Sequence, residues 1–142
     1  MKTIRQSVFE TNSSSCHSFS ITNERKFDPA KYPRIVVRGS GEYGWGGDDV
    51  DNPDAFLDYA IVAGKYCFPD GGVQERLQAI KDYFERHGVL LDIDFEGEPS
   101  GYIDHQSAPA ADEDSERIGN MLDDPAELFN FVFSGSVIKL LN

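Results

Sequence analysis

Two short polar runs hold the side chains of this chain best suited to chemistry. The first, Glu10-Thr11-Asn12-Ser13-Ser14-Ser15-Cys16-His17-Ser18, places nine hydrogen-bonding side chains in a row; the second is Asp104-His105-Gln106-Ser107. Histidine titrates near neutrality and can pass a proton in either direction. His17 and His105, with the carboxylate of Asp104, could therefore act as general acid and base on a phosphate ester if folding joined them. Ser13, Ser14, Ser15 or Cys16 could be a nucleophile activated by His17. Serines beside Asn12 are equally the composition of an Asx or Ser/Thr turn, whose side chains bond their own backbone. Each polar group buried without a partner would cost about 1–3 kcal/mol. The first run is thus either a solvated turn or a site holding something polar. For a ligand or protein partner the candidate contacts are Glu10, Asn12, Ser13, Ser15, His17, Asp104 and His105.

Other motifs exclude more than they assign. Gly39-Ser40-Gly41-Glu42-Tyr43-Gly44 matches G-x-G-x-x-G, but no helix opens inside it, and Asp48, Asp49, Asp51 and Asp54 crowd the place where phosphates would lie. A dinucleotide cradle needs a helix N-terminus there and a neutral or basic surround. The motif reads instead as a glycine-rich turn presenting Tyr43 and Trp45, which either plug the core or form a partner contact. The carboxylates of Asp49, Asp51 and Asp54, and of Asp92, Asp94 and Glu96, lack the spacing of a calcium loop. The two cysteines and three histidines show no zinc pattern. No metal and no cofactor are expected. His87 is expected to close a helix against its negative end.

Charge is lopsided. Thirteen Lys and Arg face 25 Asp and Glu, for a net of −12. Seven of the basic residues (Lys2, Arg5, Arg25, Lys26, Lys31, Arg34, Arg38) and only three acidic ones lie within residues 1–38; the rest of the chain carries six basic and 22 acidic residues. Such a surface repels nucleic-acid backbones and lacks the basic footprint that duplex binding requires. It attracts basic partners over a screening distance of ~8–10 Å. A composition 39% apolar with ten Phe is globular, and 142 residues can bury roughly two-thirds of the unfolded surface. The start has no apolar leader segment and no long apolar run follows, so a cytoplasmic chain without a membrane span is expected.

The elements that must position these residues follow from pattern. Thr3 to Phe9 and Ser18 to Thr22 alternate as half-buried strands flanking the polar run. Residues 34–38 form a β-branched strand and residues 39–47 a loop. Asn52-Pro53-Asp54 starts a largely buried helix to about Tyr66. A second helix spans about Val73 to His87, with Gly88 beyond its end. Val89 to Phe95 alternates as a strand with one wet face, and Gly101 to Ser107 is a short strand ending in the polar cluster. Residues 108–116 read as a mobile acidic loop. Asp124-Pro125 opens a last helix, and Val137 to Leu141 a closing strand. These blocks predict one α+β domain over residues 1–142: a mainly antiparallel sheet, two central helices and a short C-terminal helix.

Ile4-Arg5-Gln6, then Val8-Phe9-Glu10-Thr11-Asn12-Ser13-Ser14-Ser15 and His17-Ser18, resembles the opening of a family of small uncharacterised proteins of phages, prophages and bacterial genomes. The likeness extends to Gly41-Glu42-Tyr43-Gly44-Trp45, to Tyr102-Ile103-Asp104-His105-Gln106-Ser107 and to the tail Leu128–Phe133. The family pattern usually has Thr where this chain has Cys16, which argues against a cysteine nucleophile. The resemblance implies no reaction, but it implies that the two polar runs occur together and that the setting is an infected cell. The expectation is a small acidic phage-type protein that acts by binding a host protein with a basic surface, as an inhibitor of a defence (anti-CRISPR-like) or nucleic-acid-handling protein. The alternative is a phosphoesterase-like enzyme or nucleotide-signal binder built from the 10–18 run with Asp104 and His105.

Overall fold

A computed structural model describes residues 17–20, 25–43, 50, 52–103, 112–134 and 137–140. The centre of the fold is helix α1 (Pro53–Cys67). The Asn52 side chain accepts a hydrogen bond from the Ala55 amide at 3.0 Å, and Pro53 at the first helical position gives up no intrahelical bond. Phe56, Leu57, Tyr59, Ala60, Ile61, Val62 and Ala63 are all buried, so α1 meets protein on nearly every side. Helix α2 (Gly72–Arg86) is amphipathic and buries Val73, Leu77, Ile80 and Phe84 along one stripe. Gly88 follows at φ +88°, the left-handed conformation that ends helices and that side-chain-bearing residues avoid.

Helix α3 (Asp112–Asn120) lies against α1 at short range. A Cβ on Gly119 would stand 2.8 Å from the Ala63 carbonyl oxygen, so only a glycine allows that approach. The segment expected as a mobile loop over residues 108–116 is therefore helical from Asp112 onward; residues 108–111 lie outside the described residues. The acid-rich sequence hides this helix, because its buried face consists of small residues such as Ser115 and Gly119 with Ile118. Helix α4 (Pro125–Val132) begins at Asp124, whose carboxylate accepts from the Glu127 amide at 3.2 Å. It contributes Phe129, which meets Phe133 (ring centroids 4.9 Å) and Phe84 (5.0 Å) in an aromatic cluster.

The strands correct the predicted sheet. Strand β1 (His17–Ser20) pairs antiparallel with β6 (Val137–Leu140). Strand β2 (Arg34–Val37) pairs with β4 (Leu90–Ile93), and β3 (Glu42–Tyr43) with β5 (Tyr102–Ile103), both parallel. Among the described residues there is thus no mainly antiparallel sheet but three two-stranded pairings, two of them parallel. The cause is connectivity. Strand β3 falls within residues 39–47, expected as a loop, and β2 and β3 both pair across the α1–α2 excursion instead of with strands near in sequence. Parallel pairing requires such a crossover, and the helices supply it. The α+β class itself stands. Ile35, Val37, Leu91 and Ile103 point from these ladders into the same core as α1 and α2. No helix among the described residues is long and apolar enough to cross a membrane.

Candidate functional site

Of the candidate contacts, Glu10, Asn12, Ser13, Ser15, Trp45, Asp104 and His105 lie outside the described residues, as does the expected strand over residues 3–9. His17 is the first residue of β1, opposite Leu140 of β6. Tyr43 is the last residue of β3 and sits opposite Ile103, the last of β5. Because that ladder is parallel, the chain continues from Tyr43 and from Ile103 at the same end. The stretch toward Trp45 and the stretch toward Asp104-His105 therefore start from neighbouring Cα atoms.

The ladder is held against α1 by a few polar contacts. Asp58, a carboxylate in an otherwise largely apolar helix, accepts from the Gly41 amide at 3.1 Å and from the Tyr43 hydroxyl. The Tyr43 ring packs edge-on against Tyr59 (centroids 5.0 Å). Burial first, and then the hydrogen bond to Asp58, pushes the Tyr43 phenol far above its usual range, so it stays protonated and donates. Tyr43 is thus an inward plug. On the other strand Gly101 donates to the Gly39 carbonyl at 2.8 Å and Tyr102 to the Gly41 carbonyl at 3.0 Å. Lys65 donates to the Gly101 carbonyl, and the Ile103 amide donates to the Tyr66 hydroxyl at 3.3 Å. Both helical residues come from the last turn of α1.

Asp58→Ala would strand two donors, at a cost of about 1–3 kcal/mol. Tyr43→Phe should cost less, and the double variant should fall short of the sum, because the two side chains share one bond. Denaturant unfolding of the two single variants and the double variant checks this.

Residues 42 and 102 face away from that plug. Glu42 is exposed, and Tyr102 is 48% exposed with its hydroxyl 3.5 Å from the Glu42 carboxylate; Tyr66, in the last turn of α1 with the Lys65 ammonium 5.4 Å from its ring centroid, is 47% exposed. Sequence reasoning missed Asp58, Lys65 and Tyr66. A lone acid within the Phe56–Ala63 apolar run was the available signal for Asp58; nothing marked the other two.

Three further features narrow the chemistry. The positive charge at and just after β2 has partners within the fold: Arg34 pairs with Asp92, and Arg38 Nε lies 3.5 Å from the Asp94 carboxylate. The Cys67 thiol is pushed up, by burial first and then by Glu116, which opposes thiolate formation. His87 ends α2 as expected, with Nδ1 2.9 Å from the Tyr83 carbonyl and its ring stacked on Tyr83 at 4.3 Å. Among the described residues no group of three or more His, Cys, Asp or Glu gathers as metal ligands do.

No protein-family model, curated protein or solved structure matches the chain.

Proposed function

We propose that this acidic chain works by binding a protein with a basic surface, and that by covering that surface it inhibits a host defence or nucleic-acid-handling protein. The observation that carries this reading is the charge: a net of −12, with Arg34 of β2 and Arg38 just after it paired with Asp92 and Asp94. Exposed carboxylates after β4 (Glu96, Glu98) and at the start of α4 (Asp124, Glu127) make those parts of the described surface anionic, whereas α2 balances Glu75, Asp82 and Glu85 with Arg76, Lys81 and Arg86. Such a field speeds encounter with a cationic patch and competes with nucleic acid for it. The motif likeness to phage proteins supports a host cell, and its cytoplasm, as the setting.

The immobilised protein, exposed to host lysate at low and at high ionic strength, tests the idea. It should retain a basic, nucleic-acid-binding protein at low salt and release it at high salt. The purified partner should then lose bound nucleic acid as this chain is added. Recovery of no basic protein at low salt, or of one whose nucleic acid stays bound, would overturn the proposal.

A further inference from the structure

We infer that the outward face of the β3–β5 ladder, with Glu42 and Tyr102, is the docking point for an arginine-bearing segment of a protein partner. The inference rests on the basic-partner reading above and adds where contact is made and which side chain is recognised.

Three observations bear on it. Tyr66 and Tyr102 are two of the three large hydrophobic residues that are exposed among the described residues, at 47% and 48%. Tyr66 accepts from the Ile103 amide, but its ring already carries the Lys65 ammonium 5.4 Å from the centroid, so the aromatic face open to a partner is that of Tyr102. Lastly, the Glu42 carboxylate stands beside the Tyr102 hydroxyl on the opposite strand. An aromatic face next to a carboxylate recognises a guanidinium twice: the ring attracts the cation through its quadrupole, and the carboxylate accepts its N–H donors. Arginine is favoured over lysine because its planar, weakly hydrated head can stack while hydrogen bonding. Charge complementarity selects a basic protein segment over a nucleic acid, whose phosphates Glu42 and the net charge of the chain would repel.

The arrangement is also rigid. Gly101 and Gly41 meet at a distance no side chain would permit, and Lys65 and Tyr66 fix β5 to α1. A preformed strip loses little freedom when it binds, whereas a flexible one would have to be ordered first.

A fluorescein-labelled oligoarginine peptide, titrated at low ionic strength and read by anisotropy, tests the inference. The intact protein should bind it. Tyr102→Ala and Glu42→Gln should each weaken binding by about two- to fivefold, and the pair by about tenfold. Tyr102→Phe keeps the ring and should bind nearly as well as the intact protein. Asp82→Asn with Glu85→Gln on α2 removes the same kind of charge elsewhere and should change affinity less than about twofold. If the α2 double variant and the strip double variant lose affinity equally, attraction is diffuse: the docking point is wrong while the basic-partner reading survives. If the intact protein does not bind the peptide at all, both fall. Circular dichroism of each variant guards against misfolding.

Discussion

Replacing Gly101 by alanine is expected to lower the thermal midpoint by up to roughly 10 °C and to strip protection from the β3–β5 ladder. The new Cβ would stand 2.2 Å from the Gly41 carbonyl oxygen and 2.8 Å from the Gly41 nitrogen. Both neighbours are backbone, so no rotamer change relieves the clash. The strands must separate, and they are short. The ladder joins only Glu42 to Tyr102 and Tyr43 to Ile103, and so small a pairing has little stability of its own. Its loss would release the Gly101–Gly39 and Tyr102–Gly41 hydrogen bonds and leave Asp58 without its ordered donors. Overpacking of this kind costs about 1–3 kcal/mol. Calorimetry gives the shift, and amide exchange of residues 42–43 and 102–103 locates it. A midpoint unchanged from the unsubstituted protein would mean that the two strands do not approach this closely.

A larger loss of stability, about 3–5 kcal/mol, is expected for Phe133→Ala. The ring is fully buried, and it touches Phe129 (centroids 4.9 Å), Tyr32 (5.8 Å) and Phe84 (6.5 Å), which arrive from α4, the turn before β2 and α2. Its carbonyl also accepts from the Lys26 and Phe27 amides at 3.1 Å, so the residue pins the segment that leads into β2. Alanine would leave a cavity among rigid rings that cannot collapse to fill it. Phe133→Leu retains most of the volume and should cost much less. Guanidinium unfolding separates the two variants. Equal, small losses would show that the aromatic cluster is not a keystone of the core.

The helices were legible because their signals are local. Asn52-Pro53-Asp54 announces the start of α1 within three residues, Gly88 the end of α2, and Asp124-Pro125 the start of α4. Strand positions were nearly as legible, since Arg34–Val37 and Leu90–Ile93 both carry β-branched or aliphatic runs. Pairing was not. Glu42-Tyr43 lies in the glycine-rich stretch expected as a loop, and nothing in its composition says that it is a strand whose partner lies sixty residues on, beyond two helices. Helix α3 was missed for a related reason: it packs through glycine and serine, and no apolar stripe betrays a face whose purpose is close approach. Of the candidate contacts, Tyr43 proved an inward plug on Tyr59. The exposed aromatic on the same ladder is Tyr102, a neighbour of Asp104 that its alternation alone did not distinguish. Register, not residue type, decides which of two adjacent tyrosine-bearing strands faces water.

The most direct test of arginine recognition at the ladder is a nitrogen-15 NMR titration of the protein with the oligoarginine peptide at low ionic strength. Docking on the strip predicts that the largest shift changes fall on the amides of Glu42, Tyr66, Tyr102 and Ile103, and that added salt reverses them. Largest changes on the α2 face around Asp82 and Glu85, with residues 42 and 102 unmoved, would contradict it.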